Sequence, residues 1–572
     1  MDRSFMKSLF QGVLAEQLVY PYPSLDPDER ENVKMMLDSV RRFAESHVDS
    51  ARIDAEGRIP DAVLKEMKEL GLFGMVVPPD YGGIGLSTTA FARVMEEVAY
   101  HDASLAVVLG AHQAIGFRAL LQFGSEAQRK RYLPRLATGE WIAAFALTEP
   151  SAGSDASAIT TRAELASDGE TYLLNGVKCW VTNGSIADVF TVFARTAPST
   201  GGNRPRITAF IVDRSAGVRS GQPEAKLGVR GTSTTEIVFD DVPVRASNVL
   251  GEVGRGFKVA MEVLNAGRLS LASGCIGNCK RLIRLTSDRA QERRAFGRRI
   301  GEFELIKDKI AWMMSETWAL ESMTYLTTGL VDARVSDYSL ESAICKTFGS
   351  ETLWRVAYEA LQVAGGAGYM SSLPFERMLR DARVNPIFEG TNEILRLFIA
   401  LSGMQGPARA MDEVTKAIRE PIKGLGLLSD FAVRKAKNAF GRQRLSRVHP
   451  VLSPEAEMFE DYAAELARNV ERSIRIHGKG IAERELVQRR MAEMAIDLYA
   501  LSACLFRTTR EIERFGEDGA SLAIDLTRTF SSGAEQRLRC NNRGFDQNQD
   551  WRRMSIADQT YAEGKYPFDV AT

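Results

Sequence analysis

The sequence predicts a mainly α protein in four parts: an N-terminal helical domain, a central β domain, a C-terminal four-helix bundle and an additional C-terminal helical domain. Two observations carry that expectation. Apolar spacing is helical up to about residue 140, gives way to strand candidates from Trp141 to about Gly251, and then turns helical again. Beyond Gly256, long amphipathic stretches follow one another with short polar breaks, as in an antiparallel bundle. Helices, then strands, then helices mean separate domains rather than β-α-β winding, and no GxGxxG follows a strand. The expected boundaries are 1–140, 141–251, 252–405 and 406–572.

Residues 1–24 read as a lead-in ending in the proline-stiffened run YPYPS. Asp26 and Pro27 then open a helix as cap and first-turn residue, with Val33, Met36, Leu37, Val40 and Phe43 on one side. A second helix follows Pro60 and stops at Gly71; residues 77–85 are turn-rich loop, and helix resumes over 88–136. Strand candidates are 142–147, 172–181, 189–194, 207–212 and 235–239, separated by Gly, Pro, Ser and Asn. Helices are expected at 256–292, 303–332, 337–364, 374–382 and 391–403.

About 165 residues follow Gln405. From Phe431 to Ser453 there is no Asp or Glu, but there are Arg434, Lys435, Lys437, Arg442, Arg444 and Arg447. Leu425, Leu428, Phe431, Ala432, Ala436, Ala439 and Phe440 would share one helix face, so 425–448 reads either as a basic amphipathic helix on an anionic membrane or as a solvated basic segment. Helices are expected at 454–475, 483–514 and 519–538, the second with a core stripe of Met491, Met494, Ala495, Leu498, Tyr499, Leu501 and Leu505. In the polar tail, Trp551 and the Tyr566–Phe568 group are expected to dock.

With 572 residues, 45% hydrophobic and net charge −1, the chain has ample core and lacks the charge of a general nucleic-acid binder. Its six cysteines (Cys179, Cys275, Cys279, Cys345, Cys504, Cys540) form no CxxC pair and read as core residues in a reducing compartment. The five histidines show no metal spacing. No apolar run reaches the roughly 18 residues of a membrane span. The N-terminus has neither a signal peptide's apolar region nor the composition of a transit peptide, so a complete, cytoplasmic product is expected. The basic segment adds peripheral contact with the inner face of a membrane, the mitochondrial inner membrane in a eukaryote.

One stretch concentrates chemistry: NPIFEGTNEILR at 385–396. Glu389 sits between Phe388 and Gly390, and Thr391 can cap a helix starting near Asn392. A carboxylate desolvated by Phe388 and Ile387 gains basicity, and a glycine lets another molecule's backbone or thioester approach. Taken alone, the stretch reads as an ordinary surface glutamate at a loop-to-helix junction.

Four further runs, LTEPSAGSD at 147–155, KCWVTNG at 178–184, RRAFG at 293–297 and QVAGGAGY at 362–369, stand in register with its FEGT at 388–391, making five. With these, residues 26–403 resemble the acyl-CoA dehydrogenases, and nearly the whole chain resembles their very-long-chain subgroup. The resemblance implies FAD-dependent α,β-dehydrogenation of a fatty acyl-CoA to the trans-2-enoyl-CoA. It implies Glu389 as the α-proton base, its own N–H and a ribityl hydroxyl of FAD as donors to the enolate oxygen, and hydride transfer to flavin N5. Phe145, Leu147, Thr148 and Ser154 match a loop touching flavin and pantetheine; Trp180, otherwise a plain core aromatic, and Thr182 match the strand flanking the flavin ring. Arg293, Phe296, Gln362 and Gly366 match positions reaching FAD across a subunit interface, and Thr391 and Glu393 the helix start beside its phosphates. Arg268, Ser154, Phe388 and Gly390 match the substrate side.

Ala295, Glu304 and Glu393 depart from some relatives and put single FAD contacts in question. Some relatives carry the base one residue before the substrate-side arginine; here that position is Gly267, which leaves Glu389. The resemblance further implies an electron-transfer flavoprotein as acceptor and a homodimer. Small residues in LGAHQAIG at 109–116 would leave either a deep acyl pocket or close helix packing at Gly110 and Gly116. Two alternatives stand beside this function: an acyl-CoA oxidase, and a scaffold for respiratory-complex assembly with residual dehydrogenase activity.

Overall fold

In the computed structural model, which describes residues 4–196, 206–215, 217–419 and 443–569, the helical, β and helical parts follow in the expected order. Asp26 accepts from the Asp28 N–H, and Pro27 occupies the first turn of the helix Pro27–His47. That helix turns Val33, Leu37, Val40 and Phe43 inward, with Met36 half-buried. A helix the sequence did not signal, Ser50–Glu56, is capped by Asp49 and precedes Asp61–Glu69. The stretch 103–123 contains a π-helical segment, Ala111–Gly116. It corrects the expectation that no run reaches span length: Ala103–Phe123 is long and apolar enough to cross a membrane by composition, with mean hydropathy 1.4, yet 72% of its apolar window is buried inside the protein. His112, Gln113 and Arg118 break the run when residues are counted strictly.

Among the described residues the β domain is one eight-stranded sheet. Ala143–Ala146 runs parallel to Val189–Thr196, and Thr171–Thr182 pairs antiparallel with Thr234–Arg245. Strands Arg162–Leu165, Val218–Ser220 and Val249–Leu250 are additional; they are too short, and the first too charged, to show an apolar alternation. The ladder between Thr171–Thr182 and Thr234–Arg245 is broken between Lys178 and Val181, where a bulge inserts Cys179 and Trp180. Trp180 takes a left-handed φ of 54° and stands 63% exposed.

The bundle helices Gly256–Glu292, Glu304–Asp332, Ser339–Ala364 and Asn392–Arg419 pack around one core, which the appended helices Ser453–His477, Glu485–Gly519 and Ser521–Arg543 share. All seven residues of the expected stripe from Met491 to Leu505 are fully buried. The lead-in joins this core as well. Phe5–Leu9 forms a short helix whose Ser4 cap donates to Glu341, and Phe5 packs against Tyr499. Five residues are too few for a helical period to show in sequence.

The expected docking of Trp551 and Tyr566–Phe568 is not what the chain does. Asp550 is held by Arg490 at 2.9 Å, but the helix it begins, Asp550–Glu563, buries no residue. Trp551, Tyr566 and Phe568 remain 68%, 81% and 76% exposed. Of the basic segment 425–448, residues 425–442 lie outside the described residues. Beyond them the Ser446 side chain donates to Glu16, and Arg447 lies over the Tyr20 ring.

Candidate active site

Glu389 stands at a turn of unusual backbone. Its φ is 58° and that of Gly390 is 92°, so two consecutive residues are left-handed, a strained arrangement for glutamate. The turn ends where Asn392–Arg419 begins, with the Ile394 N–H reaching Thr391 Oγ1 at 3.4 Å. Neighbouring helices hold its carbonyls. Arg268 Nε reaches Glu389 O at 3.3 Å, and Lys346 Nζ donates to Gly390 O at 2.7 Å. The Glu389 N–H has no acceptor among the described residues.

The carboxylate faces a cavity between the helices. Phe388, Thr182 and Ile115 line it near Glu389, and Ala106, Gly110 and Gly274 line it between the helices. Glu389 Oε2 is shut off from solvent without a hydrogen-bond partner. Burial pushes the carboxyl up to about 7, against the opposing pull of Arg268 and Lys346. Gly267 makes the space: a Cβ there would lie 2.7 Å from Glu389 Oε2 and 2.6 Å from the Ile115 side chain. Gly110 and Gly116, alike in sequence, differ. A Cβ at Gly110 would meet Ser270 Oγ at 3.3 Å inside the cavity, whereas at Gly116 it would press on Ala143 at 3.0 Å, as close packing.

The loop 147–155 is tied to the Trp180 bulge. The Cys179 N–H donates to Thr148 O at 3.0 Å, and buried Lys178 donates to Leu147 O at 3.0 Å and Glu149 Oε1 at 2.7 Å. Leu147 is buried, Phe145 packs against Phe193 at 5.0 Å between ring centroids, and Ser154 is exposed. The structure thus gathers Glu389, Phe388, Gly390, Arg268 and Thr182 around the cavity. It does not bring Arg293, Phe296, Gln362 or Gly366 there. Arg293 and Phe296 lie at a small exposed hairpin, Phe296 94% exposed, and Gln362 and Gly366 at the exposed end of Ser339–Ala364. Glu393 is exposed beside half-buried Thr391.

Sequence reasoning missed Lys346 and Asn392. Lys346 is fully buried in mid-helix, and burial lowers its ammonium to about 7. Only its contacts across 44 and 46 residues, to Gly390 O and Asn392 Oδ1, link it to the catalytic stretch.

A helical domain, a β domain and a bundle arranged around such a cavity define the acyl-CoA dehydrogenases. Their N-terminal, middle and C-terminal domain models match residues 30–140, 144–242 and 254–404, and the chain belongs to this family of flavin-dependent dehydrogenases. Residues 450–566 match the ACAD9/ACADV C-terminal domain, which narrows the kinship to the very-long-chain group. The chain is 42% identical over 547 residues to the very long-chain specific acyl-CoA dehydrogenase, mitochondrial, of Macaca fascicularis, covering 94% of this chain and 83% of that protein. An acyl-CoA dehydrogenase from Bacillus anthracis, complexed with FAD, superposes with TM-score 0.79 at 30% identity over 98% of this chain and 96% of that one. Butyryl-CoA dehydrogenase from Megasphaera elsdenii matches with TM-score 0.63 and 34% identity, over 66% of this chain and 99% of its own.

Proposed function

We propose that the chain converts long- and very-long-chain acyl-CoA to trans-2-enoyl-CoA, the first step of fatty acid β-oxidation, with Glu389 as the α-proton base. The observation that carries this reading is the unpartnered Glu389 carboxylate at a cavity lined by small residues. A carboxyl near 7 is half-ionised at neutral pH and far more basic than an ordinary glutamate. Its own N–H, free of other acceptors, points to a donor for the thioester oxygen as negative charge develops there. Arg268 and Lys346 hold the Glu389 and Gly390 carbonyls and so fix the turn from which the Glu389 side chain projects.

FAD is the cofactor. The fit rests on Trp180, which the bulge presses out of the sheet with its indole uncovered, on Thr182 in the cavity wall, and on the open space around Gly365 and Gly366. Phe145, Leu147, Thr148 and Ser154 would hold it from the loop, and Thr391 and Glu393 from the helix start. When bound it supplies the acceptor for the β-hydride. Arg293, Phe296, Gln362 and Gly366 lie exposed and away from their own cavity, which supports a homodimer in which they complete the partner's cofactor site. An electron-transfer flavoprotein is the proposed acceptor. The proposed place is the inner face of a membrane, through the basic segment 425–448; the mitochondrial name of the macaque relative supports the mitochondrial inner membrane for a eukaryotic cell.

Anaerobic titration with acyl-CoAs from C8 to C20 tests the function: flavin bleaching is expected, and no bleaching at any length would overturn it. Gly110 sets a second test. A leucine there would occupy the cavity beside Ser270 and Met95 and exclude about three to four methylenes, at about 0.8 kcal/mol each. For Gly110→Leu, kcat/KM is expected to fall about 100-fold for the longest chains and to change little for the shortest. A uniform fall across lengths would count against the cavity as the acyl site.

A further inference from the structure

Lys346 is fully buried on Ser339–Ala364, yet among the described residues it is not part of a close ion pair. Its Nζ donates to two oxygens, Gly390 O at 2.7 Å and Asn392 Oδ1 at 2.8 Å. Burying an ammonium costs several kcal/mol unless the geometry compensates. A carbonyl at a helix start could be satisfied by water, so a lysine is an expensive way to satisfy Gly390 O. What it adds is a rigid hold on a strained turn. With the Glu389 carbonyl held from Gly256–Glu292 and the Gly390 carbonyl from Ser339–Ala364, the two successive peptide planes that follow the Glu389 Cα are fixed, and with them the left-handed turn that carries the Glu389 side chain.

The hold continues outward. Asn392 Nδ2 donates to Ser350 Oγ at 2.9 Å and Glu351 Oε1 at 3.0 Å. Arg396 Nη2 grips both oxygens of Glu351 at 2.7 and 2.8 Å, and its Nε reaches Glu493 Oε1 at 2.6 Å. Glu493 belongs to Glu485–Gly519 in the appended domain.

We propose that Lys346 is a positioning residue for the Glu389–Gly390 turn, and that Asn392, Glu351 and Arg396 carry this hold to Glu493, giving the appended domain a part in setting the catalytic geometry. The proposal rests on Glu389 being the base. Displacing a reacting group by about 1 Å costs on the order of 100-fold in rate. Lys346 also acts on the charge of Glu389. The groups facing Glu389 are Arg268 and Lys346, with Cys275 and Asp381 in the same cavity. Losing the lysine removes one of the two cations that offset burial, so the proton is held more tightly.

The test uses the full-length, FAD-loaded enzyme. Lys346→Met is expected to retain flavin and cooperative unfolding, to lower kcat about 100-fold with KM within about 3-fold, and to move the acid limb of the kcat–pH profile upward. Lys346→Gln keeps a donor without charge: kcat recovers to within about 10-fold of wild type while the acid limb stays displaced. Glu493→Gln, half-exposed and far from the cavity, is expected to lower kcat about 3- to 10-fold at unchanged KM and flavin content. Unchanged kcat per bound flavin and an unmoved acid limb in both Lys346 variants would overturn the proposal. An unchanged kcat in Glu493→Gln would remove its outer half, and would remove the whole should neither Lys346 variant fold. Glu389→Gln separates the two readings. If it turns over normally, the base assignment fails and the proposal with it. If it is inactive while the Lys346 variants match wild type, only the positioning role falls.

Discussion

Glu389→Gln is expected to lower kcat by about 100- to 10,000-fold, the range for removing a positioned general base, and to leave FAD bound. Glutamine keeps the shape of the side chain and the turn that carries the N–H donor, so substrate binding is expected to change little. Flavin bleaching by acyl-CoA is therefore lost on the turnover timescale even though a dissociation constant is still measurable. The wild-type rate is expected to rise with pH through about 7, because the base works only once the carboxyl has lost its proton and burial holds that proton to about 7. Stability moves the other way. The folded carboxyl titrates above its unfolded value of 4.5, so the folded chain binds the proton more tightly. The Glu389 contribution to stability is full below about 4.5 and is lost as pH rises to about 7. Glu389→Gln removes that slope, and at pH 8 it is expected to melt no lower than wild type. Thermal unfolding across pH, alongside stopped-flow bleaching, checks both limbs; a variant that bleaches at the wild-type rate would remove Glu389 from the chemistry.

How much of this could be read from the residues depends on length and on direction of contact. The helix Gly256–Glu292 was legible to the residue, because ten turns give the apolar period room to repeat. Phe5–Leu9 and Arg162–Leu165 were not, being shorter than one clear repeat. The catalytic stretch was legible because its parts are consecutive. Gly267 was read as a position that could not supply a base; its space for the Glu389 carboxylate needed coordinates, since the two lie 122 residues apart in chain order and meet only in the fold. Lys346 was illegible for the same reason, a lysine among apolar helix residues that would pass for a solvated position. The Asp550–Glu563 helix failed in the opposite sense: aromatic residues suggested docking, and nothing in their sequence says that Arg490 holds only the first residue.

Lys178→Met is expected to destabilise the protein by about 3–5 kcal/mol, the usual cost of leaving a buried charge without its partner. Lys178 and Glu149 are 0% and 2% exposed, paired at 2.7 Å. Glu149 also accepts from the Thr160 and Thr161 N–H groups and the Thr160 hydroxyl, so its carboxylate organises the loop after Leu147. Burial alone would raise that carboxyl; the lysine and the threonine donors reverse it and hold it down at about 2. The stability it contributes is therefore present above the unfolded value of 4.5 and lost as pH falls toward about 2. Without Lys178 that low value rises, and the variant is expected to unfold at a higher pH on acidification. A local consequence follows from the strand. Lys178 is the last residue before the bulge, and its side chain also fixes Leu147 O, so the loop and Trp180 lose their common anchor. Flavin content should fall together with stability, because both depend on one pair. Replacing the partner as well, in Lys178→Met with Glu149→Gln, removes the orphaned charge and is expected to restore about half of the lost stability while leaving the flavin loop loose. Urea unfolding of the single and double variants measures the coupling. Additive losses in the two would mean that the pair is not what holds the loop to the strand.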